Sequence, residues 1–151
     1  MTFSISARCP RTGMMGIAIS SSSPAVAARC AHARAGAGVV ATQNITDPAL
    51  GPKGLDLMAR GLDAQQALAA LLDGYETAPW RQIVLLDGQG RAAIHSGAHT
   101  LGTYATAKGR DCAAAGNLLA NTRVPERMVA AFEASEGHLG DRLLAAMQAG
   151  L

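Results

Sequence analysis

Amide and hydroxyl side chains are concentrated at one junction of the chain, within residues 41–61. The run starts as an apolar segment typical of a strand, and Gln43 and Asn44 stand where that strand should end. Side-chain amides can donate hydrogen bonds to the oxyanion of a reacting carbonyl, or can recognise an amide substrate. A turn residue that hydrogen-bonds its own backbone is an equally good interpretation of Asn44. Thr46 and Asp47 are better explained by capping the next helix.

A second polar group is the run of serines after the second predicted strand, Ser21, Ser22 and Ser23. The first two predicted strands form a hairpin, so the end of the second strand lies beside Thr2 at the start of the first. The serine hydroxyls and backbone N–H groups are suited to bind a substrate carbonyl or carboxylate. A polar turn is the alternative interpretation.

Further candidate groups lie elsewhere in the sequence. Asn117 follows a strand of small residues and is a candidate oxyanion donor, with a structural turn as the alternative. Arg29 and Arg34 are candidates for clamping a substrate carboxylate through two parallel hydrogen bonds. Cys30 and His32 between them would share a face only on a strand, because a spacing of two separates side chains on a helix.

The elements that must position these side chains follow from the apolar periodicity. Alternation over residues 2–8 predicts a strand, and further strands are predicted at 14–20, 38–43, 80–87, 91–96, 103–107 and 112–115. Residues 25–35 are predicted as either a short helix or an irregular crossing. Asp47 and Pro48 predict a helix start, and Asp63 with Gln66 predicts a capping box. Two more helices are predicted at 124–135 and 139–149. Runs of strands alternating with runs of helices indicate a layered α+β fold in one domain, 1–151.

Composition limits the classes of function. A net charge of +2 and an aromatic content of 3% argue against a nucleic-acid-binding protein. No apolar run approaches the roughly 20 residues of a membrane span, and the N-terminus lacks a signal-peptide pattern. We therefore expect a cytoplasmic protein that binds neither nucleic acid nor membrane. The 3 cysteines are expected to be free thiols, and no metal-ligand spacing occurs, so neither a metal nor a cofactor is expected.

Four separated segments carry a family resemblance: TFSISAR at 2–8, SSSPAVAARC at 21–30, ATQNITDP at 41–48 and AAGNLLAN at 114–121. Together they resemble the family called domain of unknown function 1028, which is usually placed in the N-terminal-nucleophile (Ntn) hydrolase superfamily. The resemblance covers essentially the whole chain and implies a four-layer αββα sandwich. Family members look longer, with a further C-terminal strand, so we expect that this domain lacks a segment that its relatives have.

The resemblance also implies a mechanism. In an Ntn hydrolase the nucleophile is the hydroxyl or thiol of the first residue, and the α-amine of that residue is its general base. Removal of Met1 would expose Thr2 in this role, with Asn44 and Asn117 as further catalytic candidates. An ordinary strand threonine is the alternative for Thr2. Many Ntn hydrolases mature by self-cleavage, so the nucleophile is otherwise expected to begin a partner fragment.

Two classes of function therefore stay open. The first is a hydrolase of the C–N bond in a small amide, imide or lactam, in which residues Ser21, Ser22, Ser23, Arg29, Arg34 and Gln43 bind the substrate. The second is a non-catalytic binding or assembly protein that keeps the fold without a working nucleophile. A missing closing strand would leave an exposed sheet edge, and unpaired edges favour pairing with another chain. We therefore expect either a homodimer or an assembly with a C-terminal fragment of the same precursor.

Overall fold

Two four-stranded antiparallel sheets form the centre of the protein in a computed structural model, which describes residues 1–151. The first sheet contains β1 (Thr2–Arg8), β2 (Met15–Ser21), β7 (Ala105–Gly109) and β8 (Cys112–Asn117), in the order β2–β1–β8–β7. The second contains β3 (Ala31–Arg34), β4 (Gly38–Asn44), β5 (Arg81–Asp87) and β6 (Ala92–Ser96), in the order β3–β4–β5–β6. All neighbouring strands run antiparallel.

Four of the five helices lie on the outer faces of the two sheets, and the short first helix belongs to the connection between β2 and β3. They are α1 (Ala27–Cys30), α2 (Leu50–Ala59), α3 (Ala64–Leu72), α4 (Val124–Ala134) and α5 (Leu139–Gly150), with a 3₁₀ turn at Ala78–Trp80. The pair α2 and α3 packs on the second sheet, whereas α4 and α5 pack on the first. The two sheets face each other, and the result is an α+β sandwich. No helix has both the length and the apolar content to cross a bilayer.

The alternation of β1 explains how the first sheet divides its residues between two interfaces. Phe3, Ile5 and Ala7 are fully buried in the cluster that contains Met128 and Phe132 of α4. Successive strand residues point to opposite faces, so Thr2, Ser4 and Ser6 face the second sheet. Between the sheets lies a small apolar cluster formed by Ala41, Val84, Ala113 and Ala115. Short side chains there allow the two sheets to pack closely.

A buried carboxylate joins the end of β5 to the start of α3. Asp87 is 3% exposed and accepts backbone N–H groups from Ala64 at 3.2 Å, Gln89 at 2.9 Å and Arg91 at 3.1 Å. Arg91 adds a bond from its Nε at 2.7 Å. Burial raises the pKa of the Asp87 carboxyl, but these hydrogen bonds to its charged form outweigh burial and hold the pKa below its usual value. The Ala64 N–H is one that the helix itself cannot satisfy.

Most of the predicted elements are confirmed, and the differences have local causes. The capping box of α3 is present, with Gln66 N donating to Asp63 Oδ1 at 2.8 Å and Asp63 N donating to Gln66 Oε1 at 3.0 Å. Residues 25–35 contain α1, as one of the two interpretations predicted, and also the edge strand β3. The strand was not predicted, because its four residues are too few to show a clear alternation. The β7–β8 turn lies at Asp111, which has a φ of 57°, so β7 extends to Gly109.

The prediction that α2 begins directly after Asp47 is wrong, because α2 begins at Leu50 with Ala49 as its N-cap. A tight turn precedes the helix, in which Leu50 N donates to Asp47 O at 3.2 Å. Asp47 Oδ1 still accepts the Ala49 N–H at 2.9 Å. The hydroxyl of Tyr75 donates to Asp47 Oδ2 at 2.6 Å, and this bond lowers the pKa of the Asp47 carboxyl.

Candidate functional site

The polar residues of the first sheet meet at one end, where β1 begins and β2 and β8 finish. Thr2 is paired in register with Ser21 on one side and with Asn117 on the other. Directly opposed residues of antiparallel strands present their side chains on the same face. Since Thr2 faces the second sheet, Ser21 and Asn117 do so too. The sheet register therefore brings together three of the predicted site residues, which are distant in the sequence.

Beneath these residues lies a network of buried amides that crosses between the sheets. Ser4 Oγ donates to Gln43 Oε1 at 2.8 Å, and Gln43 Nε2 donates to Gln82 Oε1 at 2.8 Å. The same Gln82 oxygen accepts from Asn117 Nδ2 at 3.3 Å. Gln82 Nε2 donates to Ser96 Oγ at 3.0 Å and to the Gly116 carbonyl at 3.2 Å. Both glutamines are 0% exposed, so the network fixes the side chains below Thr2.

A cavity of about 190 Å³ opens above this network. We call it the Thr2 cavity, and it is lined by Thr2, Ser21, Ser23, Val26, Arg29, Cys30, Gln43, Asn44 and Thr46. Six of the predicted site residues are therefore part of one surface. Asn117 is 2% exposed and is not among the residues that line the cavity. Ser22 lines a neighbouring shallow depression formed by the loop after β2.

The residues Ser21, Ser22 and Ser23, which we call the serine loop, hold the start of the chain. Thr2 Oγ1 and Ser21 Oγ are 2.8 Å apart and share a hydrogen bond. Ser21 Oγ also accepts the backbone N–H of Ser23 at 3.1 Å. The terminal ammonium of Met1 donates to Ser22 Oγ at 3.2 Å, and Ser22 N donates to the Met1 carbonyl at 3.2 Å. While Met1 is in place, the nitrogen of Thr2 belongs to a peptide bond and has no basic lone pair.

Asn44 joins two loops at the rim of the Thr2 cavity. Its φ of 75° is in the left-handed region, which asparagine tolerates better than most residues. Its Nδ2 donates to the Trp80 carbonyl at 2.7 Å, and its Oδ1 accepts the Leu101 N–H at 3.1 Å. Asn44 therefore joins distant segments of the chain, and does not bond its own backbone as the turn interpretation supposed. A side-chain NH₂ has two hydrogens, so one N–H of Asn44 is still available to a ligand.

The two candidate arginines differ in position. Arg29 lines the Thr2 cavity, and its Nη1 donates to the carbonyls of Pro24 at 2.6 Å and Ala25 at 3.3 Å. Arg34 lies outside the cavity, because its Nη1 pairs with Asp56 Oδ1 at 2.7 Å on the exposed surface of α2. Substrate contact by Arg34 at this site therefore does not fit the structure. Only Arg29 keeps free guanidinium donors at the cavity.

Cys30 and His32 do not form a thiol–imidazole pair. Cys30 is the last residue of α1 and its Sγ lies 3.3 Å from Thr46 Oγ1. His32 is in β3, where its Nε2 lies 3.3 Å from the Arg29 carbonyl. The change from helix to strand between them sends the two side chains to different neighbours. No group of three or more His, Cys, Asp or Glu side chains is arranged to hold a metal ion.

An exposed group of apolar side chains borders the rim at Asn44, and we call it the apolar collar. Ile45, Trp80, Leu101 and Leu118 are 45%, 44%, 39% and 48% exposed, respectively. Backbone contacts connect its members, since Leu118 N donates to the Leu101 carbonyl at 3.0 Å and Asn44 bonds to Trp80 and Leu101. Leu118 has a φ of 53°, a strained value for a leucine. The collar gives the polar cavity an apolar neighbour.

Sequence reasoning missed the centre of the buried network, which is Gln82. The sequence did contain an indication, because Gln82 is an amide that directly precedes the apolar stretch from Ile83 to Leu86 in the same predicted strand. Alternation alone could not show that Gln82 and Gln43 face the same interface, because that depends on which sheet face meets the other sheet. Ser4 was visible on the polar face of β1, but it was not assigned a role.

Comparisons with known proteins agree with this fold. The family model described as "Family of unknown function (DUF1028)" matches residues 2–151. A crystal structure of protein SPO2555 from Silicibacter pomeroyi, titled with the same family model, is similar with a TM-score of 0.95 and 29% sequence identity. The alignment covers 99% of this chain and 69% of that chain. No curated protein sequence matches.

Proposed function

The chain belongs to the DUF1028 family of unknown function, and from that premise we propose that it is a cofactor-independent hydrolase of small amides, imides or lactams, of the Ntn type. The observation that carries the proposal is the position of the Thr2 hydroxyl. It belongs to the second residue of the chain, lines a polar cavity, and lies 2.8 Å from a second hydroxyl. The α+β sandwich supports the same interpretation, although one fold can serve many activities.

The proposed chemistry uses two groups of one residue. Removal of Met1 gives Thr2 a free α-amine, whose ordinary pKa of about 8 leaves a useful neutral fraction near neutral pH. That amine takes the proton of the Thr2 hydroxyl as Oγ1 bonds to the substrate carbonyl carbon. The C–N bond then breaks, and the leaving nitrogen receives the proton. An ester on Thr2 remains, and water activated by the same amine hydrolyses it to the acid and restores the hydroxyl.

Neighbouring groups are suited to bind the oxyanion and the rest of the substrate. Asn117 gives one hydrogen of Nδ2 to Gln82 and is the cross-strand neighbour of Thr2, so its other N–H is a candidate oxyanion donor. The free N–H of Asn44 is a second candidate. The free donors of Arg29 can hold a carboxylate of the substrate, and the loop of Ser21, Ser22 and Ser23 supplies further hydroxyl groups.

The first test is intact-mass measurement combined with activity against a panel of small amides, imides and lactams. Loss of Met1, together with hydrolysis of one class, is the expected result. Thr2→Ala should abolish hydrolysis, by at least about 10³-fold, while Thr2→Ser keeps measurable activity because it retains a hydroxyl beside the amine. A fully active Thr2→Ala protein would contradict the proposal, as would a panel on which the Met1-free protein is inactive.

The rival function is a binding or assembly protein without a working nucleophile. Its supporting observation is the pair of bonds between Met1 and Ser22, which can hold an unprocessed N-terminus in place. A protein that keeps Met1, has no partner fragment beginning with Ser, Thr or Cys, and is inactive on the whole panel would favour this function. Size-exclusion chromatography with light scattering would then test the expected homodimer.

A further inference from the structure

A second polar cavity lies at the opposite end of β1 from Thr2. It has a volume of about 390 Å³ and is lined by Arg8, Pro10, Arg110, Asp111, Glu133 and Arg142, and we call it the arginine cavity. A strand rises about 3.3 Å per residue, so Arg8 at the end of β1 is roughly 20 Å from Thr2. The arginine cavity is therefore separate from the Thr2 cavity. Apart from Pro10, every side chain of its lining is charged.

The two acidic residues of the arginine cavity already have structural partners. Asp111 Oδ1 accepts from Arg8 Nη1 at 3.1 Å, beside a backbone bond from Arg8 N to the Asp111 carbonyl at 2.9 Å. Glu133 Oε1 accepts the backbone N–H of Arg110 at 2.7 Å. These contacts tie the β7–β8 turn to β1 and to α4. Three guanidinium groups against two carboxylates leave the lining with a formal excess of one positive charge.

The guanidinium groups carry more hydrogen-bond donors than the protein satisfies. The Nε atoms of Arg8 and Arg142 are buried without an acceptor. Arg142 is held by a bond from Nη2 to the Phe132 carbonyl at 3.0 Å and by stacking 4.0 Å from the Phe132 ring. The side chain of Arg110 makes no hydrogen bond to the protein. The donors without a protein acceptor that an anion in the cavity can contact are those of the exposed Arg110 side chain, Nη2 of Arg8 and Nη1 of Arg142.

We propose that the arginine cavity binds the phosphate group of a small polar ligand. Phosphate offers three acceptor oxygens and nearly two negative charges, and guanidinium groups match it through paired hydrogen bonds. The volume lies in the usual range for small-molecule sites, about 300–1,000 Å³. The polar lining disfavours an apolar ligand. Two of the three guanidiniums are fixed by Asp111 and Phe132, which lowers the entropy lost on binding.

Isothermal titration calorimetry at low ionic strength, with inorganic phosphate and pyrophosphate as probes, tests this site. Arg110→Gln is the informative variant because its side chain has no structural contact to lose. It should weaken pyrophosphate binding about tenfold. Glu133→Gln should tighten binding, because it removes a negative charge and its amide oxygen can still accept the Arg110 N–H. Citrate serves as a carboxylate arm, and we expect it to bind more weakly than pyrophosphate.

Arg127→Gln is the matched control, since Arg127 is an exposed arginine on α4 outside the cavity lining. It should change the dissociation constant by less than about twofold, because charge screening weakens distant surface effects. Equal weakening by Arg110→Gln and Arg127→Gln would show binding by net charge alone and overturn the proposal. No saturable binding of pyrophosphate would also overturn it, and so would a preference for citrate. Thr2→Ala should leave the affinity unchanged, so this test is independent of the proposed hydrolase activity.

Discussion

Replacing Gln82 with leucine is the sharpest test of the buried network. Gln82→Leu removes the acceptor of two buried N–H donors, Gln43 Nε2 at 2.8 Å and Asn117 Nδ2 at 3.3 Å. Each stranded donor costs about 1–3 kcal/mol, and the apolar leucine side chain recovers part of that cost. We therefore expect the free energy of unfolding to fall by about 3 kcal/mol. Urea denaturation followed by circular dichroism measures this change.

A double-mutant cycle shows whether the cost belongs to the network. Gln43→Leu alone strands the Ser4 hydroxyl donor and should cost about 1–2 kcal/mol. In the double variant the Gln43 donor is absent, so Gln82→Leu strands one group fewer. The double variant should be more stable than the sum of the single effects predicts, by about 1–2 kcal/mol.

The matched control is Gln65→Leu, which replaces an exposed glutamine of α3. It should change the free energy of unfolding by less than about 0.5 kcal/mol. Additive effects of Gln43→Leu and Gln82→Leu, within about 0.5 kcal/mol, would refute the reasoning, because uncoupled residues do not share a hydrogen-bond network. A loss below about 1 kcal/mol for Gln82→Leu would refute it as well.

Three further predictions concern single sites. Asp87→Asn should lower the free energy of unfolding by about 2–3 kcal/mol at pH 7, because the carboxylate accepts four N–H bonds. The folded-state pKa of Asp87 is lowered, so this stabilisation is present above the unfolded pKa of about 3.9 and is lost as pH falls through the folded pKa. In urea titrations the difference between wild type and variant should narrow below about pH 4, and a constant difference would contradict the assignment. Asp63→Ala should cost about 1 kcal/mol through loss of the capping box, and an unchanged melting temperature would argue against it. Gly51→Ala would place a Cβ in collision with the His32 ring and should cost about 1–3 kcal/mol in a thermal melt, whereas adding His32→Ala should restore most of that loss.

Local patterns were enough to predict the elements whose cause is local. The hairpin of β1 and β2 follows from alternation around a turn, and the capping box of α3 follows from Asp63 and Gln66. Together with the segment resemblance, these patterns gave the layered α+β fold. The start of α2 was predicted too early because Asp47 and Pro48 are residue types that occur both in turns and at helix starts. A capping side chain is compatible with either.

The candidate site was predictable in part. The predicted β1–β2 hairpin placed Ser21 beside Thr2. It could not place Asn117 there, because the pairing of β1 with β8 is a long-range contact. The role of Gln82 could not be predicted for the same reason, since its hydrogen-bond partners belong to a neighbouring strand and to the other sheet. Arg34 shows the converse error. It was a candidate because an arginine can clamp a carboxylate, but it lies at the end of β3 and pairs with Asp56 outside the Thr2 cavity.

The location of the first residues has a practical consequence for handling the protein. β1 is an inner strand of its sheet, and its first residue opens into the Thr2 cavity. An affinity tag fused before Met1 would extend from the Met1 nitrogen, which donates to Ser22 Oγ at 3.2 Å, and it would add chain beside Ser21 and Ser23 of the cavity lining. It would also keep the nitrogen of Thr2 in a peptide bond. A tag fused after Leu151, which is 88% exposed, avoids both effects. Tests of the proposed Thr2 chemistry are therefore best made with the tag after Leu151.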